Sequence, residues 1–394
     1  MTGKVHKKQI LILVETSRMF GRQIIQGISQ FALEKGSWGL LLEDCGFLKQ
    51  VPLWMKRVRF DGIICRSASF DSAKFIKTFG VPIVELLGDG VYRSCDVRTD
   101  FTLLGPMAAK HFHDKGFRRF AYFSTGYTWW SQLFHDAYCQ GLHELGFDCH
   151  TSPFCEERNE STLPIILQKN TEKRIMEWLH KLPKPIGLLC PCDSQAIFIL
   201  NLCRAADIKV PYEIAVLGTE NDLTLCNTSM PLLSSIAADG CSIGFQAARL
   251  LEAMIEKRPH DDLPILIPPI GVVTRQSTDI IAVENTDVAE ALHYISTNPG
   301  LYVTVKEVAE HIDVSLRTLI RKFKEVLKRT PDEEIRRICM ERAKTLLHDT
   351  NLPVEAIAKD LGYSSTKYFV QSFRREIGIP PHEYRKSFHA NKTP

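Results

Sequence analysis

Two stretches near the C-terminal end, DVSLRTLIRKFKEVLK from Asp313 and GYSSTKYFVQSFRREIG from Gly362, carry the same apolar pattern. Just upstream, Val305, Val308, Ala309 and Ile312 match Val354, Ile357, Ala358 and Leu361 at a spacing of 49. Past the turn, Ser315, Leu319 and Phe323 match Ser365, Phe369 and Phe373 at a spacing of 50, so the second copy has one extra turn residue. Each copy reads as a short helix, a tight turn, a Ser N-cap and a second helix apolar four and eight positions on. That is the layout of a helix-turn-helix, whose second helix enters the DNA major groove with its early side chains at base edges. An αα-hairpin would bury the same face, and the outward face separates the two readings. Arg317, Arg321, Lys322 and Lys324 project from one second helix, and Lys367, Gln371, Arg374 and Arg375 from the other; Glu325 is the one acid before Glu376. A solvated face is normally mixed in sign, whereas phosphate contact favours such a surplus.

The flanking sequence is helical throughout. Thr304 with Glu307 and Thr330 with Glu333 have capping-box spacing, and Pro331 occupies the first helical position, where its missing N–H costs nothing. The helix from Pro331 presents Ile335, Ile338, Cys339, Ala343, Leu346 and Leu347 on one side, and about 18 residues of it span about 27 Å. Residues 288–394 hold 18 Lys and Arg against 14 Asp and Glu, leaving 31 against 32 before them, so the net charge of +3 sits at this end.

The first part of the chain has a different period. Short apolar runs at 9–15, 38–44, 61–65, 81–87, 118–124, 185–190 and 213–218 suit strands buried on both faces, the signature of a parallel sheet. Between the first two, Phe20, Ile24, Ile25, Ile28, Phe31 and Ala32 recur at helical spacing, and 101–116, 132–146, 193–205 and 241–257 fit further helices. The alternation predicts an open doubly wound α/β sheet, or two side by side. After the polar stretch 274–287 the strand signal stops, which places an α/β domain at 1–275, a linker at 276–287 and an all-α domain at 288–394.

At 394 residues, two or more domains are expected. No run reaches the ~20 apolar residues of a membrane helix, and the basic start leads into too short an apolar run for a signal peptide, so no membrane partner and a cytoplasmic setting are expected. The twelve cysteines have no framework spacing and read as buried thiols; no C-x-x-C occurs, Cys190-Pro-Cys192 is too short a signal for zinc, and His111 and His113 fall on different helix faces. No metal and no cofactor are expected. Phosphate-binding glycine loops, the nucleophile elbow and H-E-x-x-H are absent from the sequence, which favours a sensor over an enzyme fused to a DNA-binding tail. A scaffold that only dimerises is the other alternative.

Residues 288–386 resemble the AraC family of transcription regulators. The resemblance rests on Ser315-x-x-x-Leu319-x-Arg321-x-Phe323-Lys324, Ala358-x-x-x-Gly362-Tyr363, Tyr368-Phe369, Phe373-Arg374 and Gly378-Ile-Pro-Pro-His-Glu-Tyr-Arg385. It implies double-stranded promoter or operator DNA as partner, read from second-helix positions that here are Arg317, Ile320 and Arg321, then Lys367, Val370 and Gln371, with Lys322, Thr366 and Arg374 completing the DNA-facing set. Arginine can bridge guanine O6 and N7, glutamine can grip adenine, and Ile320 or Val370 can touch a thymine methyl. The family's glycine after the first reading helix is replaced by Lys328, so a remodelled helix end is expected there.

The front part resembles the periplasmic-binding-protein-like domains of LacI-type regulators, through VETSRMFGRQIIQGI (14–28), Asp100 and Gly105 before KHFHDKGFRRFAYFS, Asp193-Ser-Gln-Ala196, and Gly218-Thr-Glu-Asn-Asp222. The resemblance implies a two-lobed sensor for a small effector, a sugar such as xylose by likeness alone, working as a homodimer, and leaves RNA polymerase contact open. Ligands of open α/β sheets bind beyond the carboxyl ends of strands, which selects Glu15, Thr16, Arg66, the Tyr127–Trp130 loop, Asp193, Glu220 and Asn221. Carboxylates and amides can satisfy sugar hydroxyls, and Trp129 or Trp130 can cover a ring's C–H face. Asp193 fits a helix N-cap equally well, and the tryptophans fit plain packing. Where related sensors carry an arginine before the Ala137-Tyr138 pair this chain has Phe134, which favours a different or less polar effector.

Overall fold

A computed structural model describes residues 7–44, 52–66, 76–86, 96–125, 128–155, 170–260, 263–280, 282–283, 285–298, 300 and 302–389; Tyr127 of the expected binding loop lies outside them. They form two compact units. The first comprises Met1–Asp114, Arg118–Ile208 and Val216–Thr278, and the second Lys115–Phe117, Lys209–Ala215 and Asp279–Pro394.

In the first unit the order is β1 (Lys8–Leu13), α1 (Met19–Lys35), β2 (Trp38–Glu43), β3 (Gly62–Cys65), β4 (Ile83–Glu85), β5 (Val97–Thr99), α2 (Phe101–Asp114), β6 (Phe120–Tyr122) and α3 (Trp129–Glu144). It continues through β7 (Cys149–Thr151), α4 (Thr171–Lys181), β8 (Ile186–Leu189), α5 (Asp193–Ala205), β9 (Ile214–Thr219), α6 (Leu223–Thr228), β10 (Ser234–Ala237), α7 (Gly240–Ile255), β11 (Ile265–Ile267) and β12 (Gly271–Val273). One lobe is built on a parallel sheet of order β2-β1-β3-β4, with Leu11 opposite both Leu41 and Ile63. The other is built on β12-β10-β9-β8-β6-β7, parallel except for β12, which runs against β10. β11 and β5 form a separate parallel pair.

Every run singled out in the sequence forms a strand, and Ile10 to Leu13 are buried, as two covered faces require. The antiparallel β12 departs from the all-parallel expectation, and β5, β7, β10, β11 and β12 are too short to carry a period of two. Around the first sheet, α1 crosses α7 at backbone contact. A Cβ on Gly27 would stand 2.0 Å from the Cys241 carbonyl oxygen, and one on Gly244 1.9 Å from that of Ile24. These glycines let Phe20, Ile24, Ile28 and Phe31 of α1 share a core with Ile243, Ala247 and Leu251 of α7.

The second unit contains α8 (Thr286–Thr297), α9 (Val305–His311), α10 (Leu316–Leu327), α11 (Pro331–Asp349), α12 (Val354–Asp360), α13 (Thr366–Ile377) and α14 (Pro381–His389). Both capping boxes are formed, Thr304 with Glu307 and Thr330 with Glu333. Residues 276–287 are not one linker. Ser277 and Thr278 are fully buried in the first unit, where the Ser277 hydroxyl donates to Val216 O at 2.6 Å, and Asn285 already caps α8 through Val288 N. Polar residues that look solvated in the sequence are there satisfied inside the fold.

Candidate effector cleft and nucleic-acid interface

A cleft opens within the first unit. Phe20, Ile24, Arg66 and Leu86 of the first lobe line it, together with Arg98, Phe101, Trp130, Pro191 and Glu220. Arg66 sits 5.4 Å from the centre of the Phe20 ring and pairs with the Glu15 carboxylate, so Glu15 acts behind Arg66. Arg18 approaches Glu220 at 3.7 Å. Burial pushes the Glu220 carboxyl up, while Arg18 and Arg66 pull it back towards ionisation. Glu220, Arg66 and Arg98 are thus the charged groups of a lining that is otherwise largely apolar, with Arg18 and Glu15 paired behind them.

Glu220 reaches this position through strained backbone. Glu220 and Asn221 take φ values of 101° and 54°, left-handed geometry that costs a side-chain-bearing residue of order 1–3 kcal/mol. What holds the loop is Asp193. Its Oδ1 accepts from Ser235 Oγ at 2.6 Å and its Oδ2 from Asp222 N at 2.7 Å, with Cys226 Sγ at 3.6 Å. Asp222 in turn caps α6 by accepting from Thr224 N and Leu225 N. Gly218 makes room for this carboxylate, since a Cβ there would lie 2.2 Å from Asp193 Oδ1.

Several site expectations therefore need correction. Asp193 is fully buried and does not line the cleft, and the N-cap of α5 is Cys192; Asp193 positions the loop instead. Asn221 also stays off the lining, its N–H donating to Ser235 Oγ at 2.9 Å. Of the tryptophans, Trp130 lines the cleft, while Trp129 lies 5.0 Å under the Arg98 guanidinium. Thr128 caps α3 through Ser131 N, which fixes the helical phase and so decides which indole turns inward. Phe134 is fully buried against Phe101 and Tyr122, backing the apolar wall with a ring where an arginine would have offered donors. Arg98 and Phe101, which line the cleft, and Arg18, which pairs with Glu220, were missed because nothing local marks such residues.

In the second unit the repeat has a backbone counterpart. Val314 N donates to Ala309 O and Asp313 N to Glu310 O; 49 residues on, Tyr363 N donates to Ala358 O and Gly362 N to Lys359 O. Asp313 and Gly362, at φ 52° and 79°, are the left-handed residues of the same C-terminal motif. The extra residue of the second copy is therefore Ser364. Ser315 caps α10 through Thr318 N and Ser365 caps α13 through Tyr368 N. Leu319, Phe323, Phe369 and Phe373 are fully buried. α11 joins the two hairpins, its Glu334 carboxylate clamped by Arg329 and Arg337 at 2.9 Å each.

Arg317, Arg321, Lys367, Gln371 and Arg374 are exposed on α10 and α13, and Ile320 and Thr366 are half-buried there. Val370 is half-buried against the core of the second hairpin, so little of it is left for a base. Lys322 does not project freely, because its ammonium pairs with Asp287 at the start of α8. Arg321 pairs with Glu325 one turn on, at 3.0 Å. The remodelled end expected at Lys328 does not occur: Lys328 itself takes the left-handed cap at φ 57°, with its ammonium on Glu325 O at 3.1 Å.

A periplasmic binding protein-like domain family matches residues 109–278, and a helix-turn-helix domain family matches 308–387. With the two-lobed cleft fold and the paired helix-turn-helix hairpins, these define a DNA-binding transcription regulator with a ligand-sensor domain rather than an enzyme. More particularly, the chain is similar over nearly its whole length to xylose operon regulatory proteins. It is 28% identical to the xylose operon regulatory protein of Haemophilus influenzae over 98% of this chain and 99% of that protein. Against its namesake from Escherichia coli K12 it is 27% identical, covering 96% and 97%. The solved structure of a xylose-binding transcription activator, XylR, aligns at a TM-score of 0.78 and 26% identity over 97% of this chain and 98% of that one.

Proposed function

We propose that this chain is a sugar-responsive regulator of carbohydrate-use genes, acting in the cytoplasm as a homodimer on promoter DNA, with RNA polymerase as a further partner. The front domain senses, and the region from 288 onward reads DNA through Arg317, Arg321, Lys367, Gln371 and Arg374. The observation that carries the effector assignment is the cleft chemistry: Glu220, Arg66 and Arg98 line it together with Trp130 and apolar side chains. Carboxylates and guanidiniums together satisfy hydroxyls that both donate and accept, and an aromatic face covers a sugar's C–H face. Xylose leads because the relatives above carry it in their names. Phe134 removes one expected donor, so a pentose or a less hydroxylated sugar fits better than a hexose.

An effector shifts the regulator by binding the closed and open cleft with different affinity. Thermal shift of the full-length protein against pentoses and hexoses tests this reading, because a ligand at 100 times its Kd adds about 2.7 kcal/mol to the native state. The expected outcome is a pentose-selective shift with altered promoter binding at fixed salt. Promoter binding indifferent to every sugar, with no thermal shift, would reject it.

A further inference from the structure

Apart from the effector cleft, α3 and β7 bring together a group of side chains that the regulatory reading does not use. His135 and Cys139 lie one helical turn apart on α3, so they share a face. Cys149 opens β7, paired opposite Phe120, and Thr151 two residues on points to the same side of the strand. The strand's short length and the helix's phase put three donor atoms, His135 Nε2, Cys139 Sγ and Cys149 Sγ, within 4.8 Å of one another. His135 Nε2 to Cys139 Sγ is 3.3 Å. In a tetrahedral zinc site with bonds of about 2.0–2.3 Å, ligand atoms stand roughly 3.5–3.8 Å apart, so the His135–Cys139 pair opens by a few tenths of an ångström and the other pairs close by about 1 Å at most onto an ion.

We infer that His135, Cys139 and Cys149 form a three-ligand site for a borderline-soft divalent cation, zinc foremost, with solvent in the fourth position. Two thiolates and an imidazole select zinc over magnesium or calcium, which take oxygen ligands. The surroundings support the assignment independently of the donor atoms. His135 Nδ1 lies 3.1 Å from Asp136 Oδ1, and Gln132 Nε2 donates to the same carboxylate at 2.8 Å. A carboxylate on one ring nitrogen fixes the tautomer that leaves the other nitrogen's lone pair free for a metal. That other nitrogen, Nε2, is the one facing the Cys139 thiol, and Thr151 Oγ1 stands 2.7 Å from it. The Tyr122 ring packs edge-on to His135 at 5.0 Å, and Tyr138 is buried on the same helix, so one side of the site is dry. All three ligand residues are half-buried, which leaves solvent access for a fourth ligand. The sequence hid the site: the cysteines are ten positions apart across a helix end, a turn and a strand, and fit no metal-ligand spacing.

Titration of the full-length, reduced, chelator-stripped protein with cobalt(II) tests the site, because thiolate ligation gives a charge-transfer absorption in the near ultraviolet. The expected result is one cobalt per chain with that band, bleached by one equivalent of zinc. Cys139→Ser and Cys149→Ser should each abolish the band with the far-ultraviolet circular dichroism unchanged. Asp136→Asn should keep the band and weaken affinity about 10–100-fold, as loss of a hydrogen-bond partner to a ligating histidine does. Wild-type protein that develops no thiolate band overturns the inference whatever the variants do. So does a full band in the Cys139→Ser/Cys149→Ser double variant, or a Cys139–Cys149 disulfide that forms under reducing conditions and excludes the ion.

Discussion

Asp193 and Asp222 meet at 2.7 Å, the backbone N–H of Asp222 donating to a fully buried Asp193 carboxylate. This contact ties the start of α5 to the loop that carries Glu220, whose backbone is strained at Glu220 and Asn221. Above pH about 8, where Asp193 is ionised, Asp193→Asn turns one acceptor into a donor facing either the Asp222 N–H or the Ser235 hydroxyl. The unmade bond should cost about 1–3 kcal/mol of stability. Because the loop positions Glu220, effector affinity should fall as well, and urea unfolding alongside effector titration measures both. Unchanged affinity in the folded variant would separate Asp193 from the cleft.

The same residue predicts a pH dependence. Burial, with Glu220 adding to it, pushes the Asp193 carboxyl up to about 8 against the hydrogen bonds that favour its charge. A carboxyl whose native value lies above its unfolded one binds more protons in the native state between the two. Its contribution is therefore complete below about 4 and is lost as pH rises through about 8. The midpoint of wild type minus that of Asp193→Asn should fall steadily between those limits. A difference that is flat or rises with pH would contradict the assignment.

Glu220→Gln tests the polar end of the cleft. The amide keeps the shape but loses the charge between Arg18 and Arg66, and a hydrogen bond to a charged group is worth about 1.5–3 kcal/mol. Effector affinity should drop roughly 10–100-fold while DNA affinity without effector stays unchanged. Isothermal titration and a promoter-binding assay read the two separately.

How much of this was legible depended on how local each signal was. The apolar run at Ile10 to Leu13 announces a strand covered on both faces, and the matched residues from Val305 and Val354 announce two equivalent hairpins. Even their shared left-handed position, Asp313 and Gly362, lies at the same spacing of 49 as the helices before it. β10 was not legible, because Ser234 and Ser235 look solvated. Their burial depends on Ser277, Arg275 and Asp193, which lie at least 40 residues away. Asp193 looked like a ligand residue or a cap for the same reason: its partners are long-range. Choosing between Trp129 and Trp130 required the phase of α3, which adjacent indoles cannot supply.

Lys328 offers a test on stability alone. It holds left-handed geometry at φ 57° where the equivalent position of the second hairpin, Gly378, does so at φ 91° without a Cβ. That geometry costs an L-residue roughly 1–2 kcal/mol, partly offset by the Nζ contact to Glu325 O. Lys328→Gly should therefore raise stability by about 1 kcal/mol, seen as a higher urea midpoint at constant slope. A lower midpoint would mean that the Lys328 side chain contributes more than its backbone costs.

The two reading helices present unequal chemistry, and this predicts a ranking in DNA selectivity. α10 exposes Arg317 and Arg321, while α13 exposes Lys367 and Gln371 at the equivalent positions. A bidentate arginine–guanine pair is worth about 1–3 kcal/mol of discrimination against a wrong base. In the free protein Arg321 is held by Glu325, so base contact exchanges one exposed, weak ion pair for a bidentate one. Lys322 is already committed to Asp287, and its replacement should weaken the α8–α10 packing more than base selection. Arg321→Ala should accordingly relax sequence preference more than Gln371→Ala in a binding-site selection, and each loss should fall on a different half of the site. If Gln371→Ala relaxes preference more, the second hairpin sets the specificity and this ordering of the two helices is reversed.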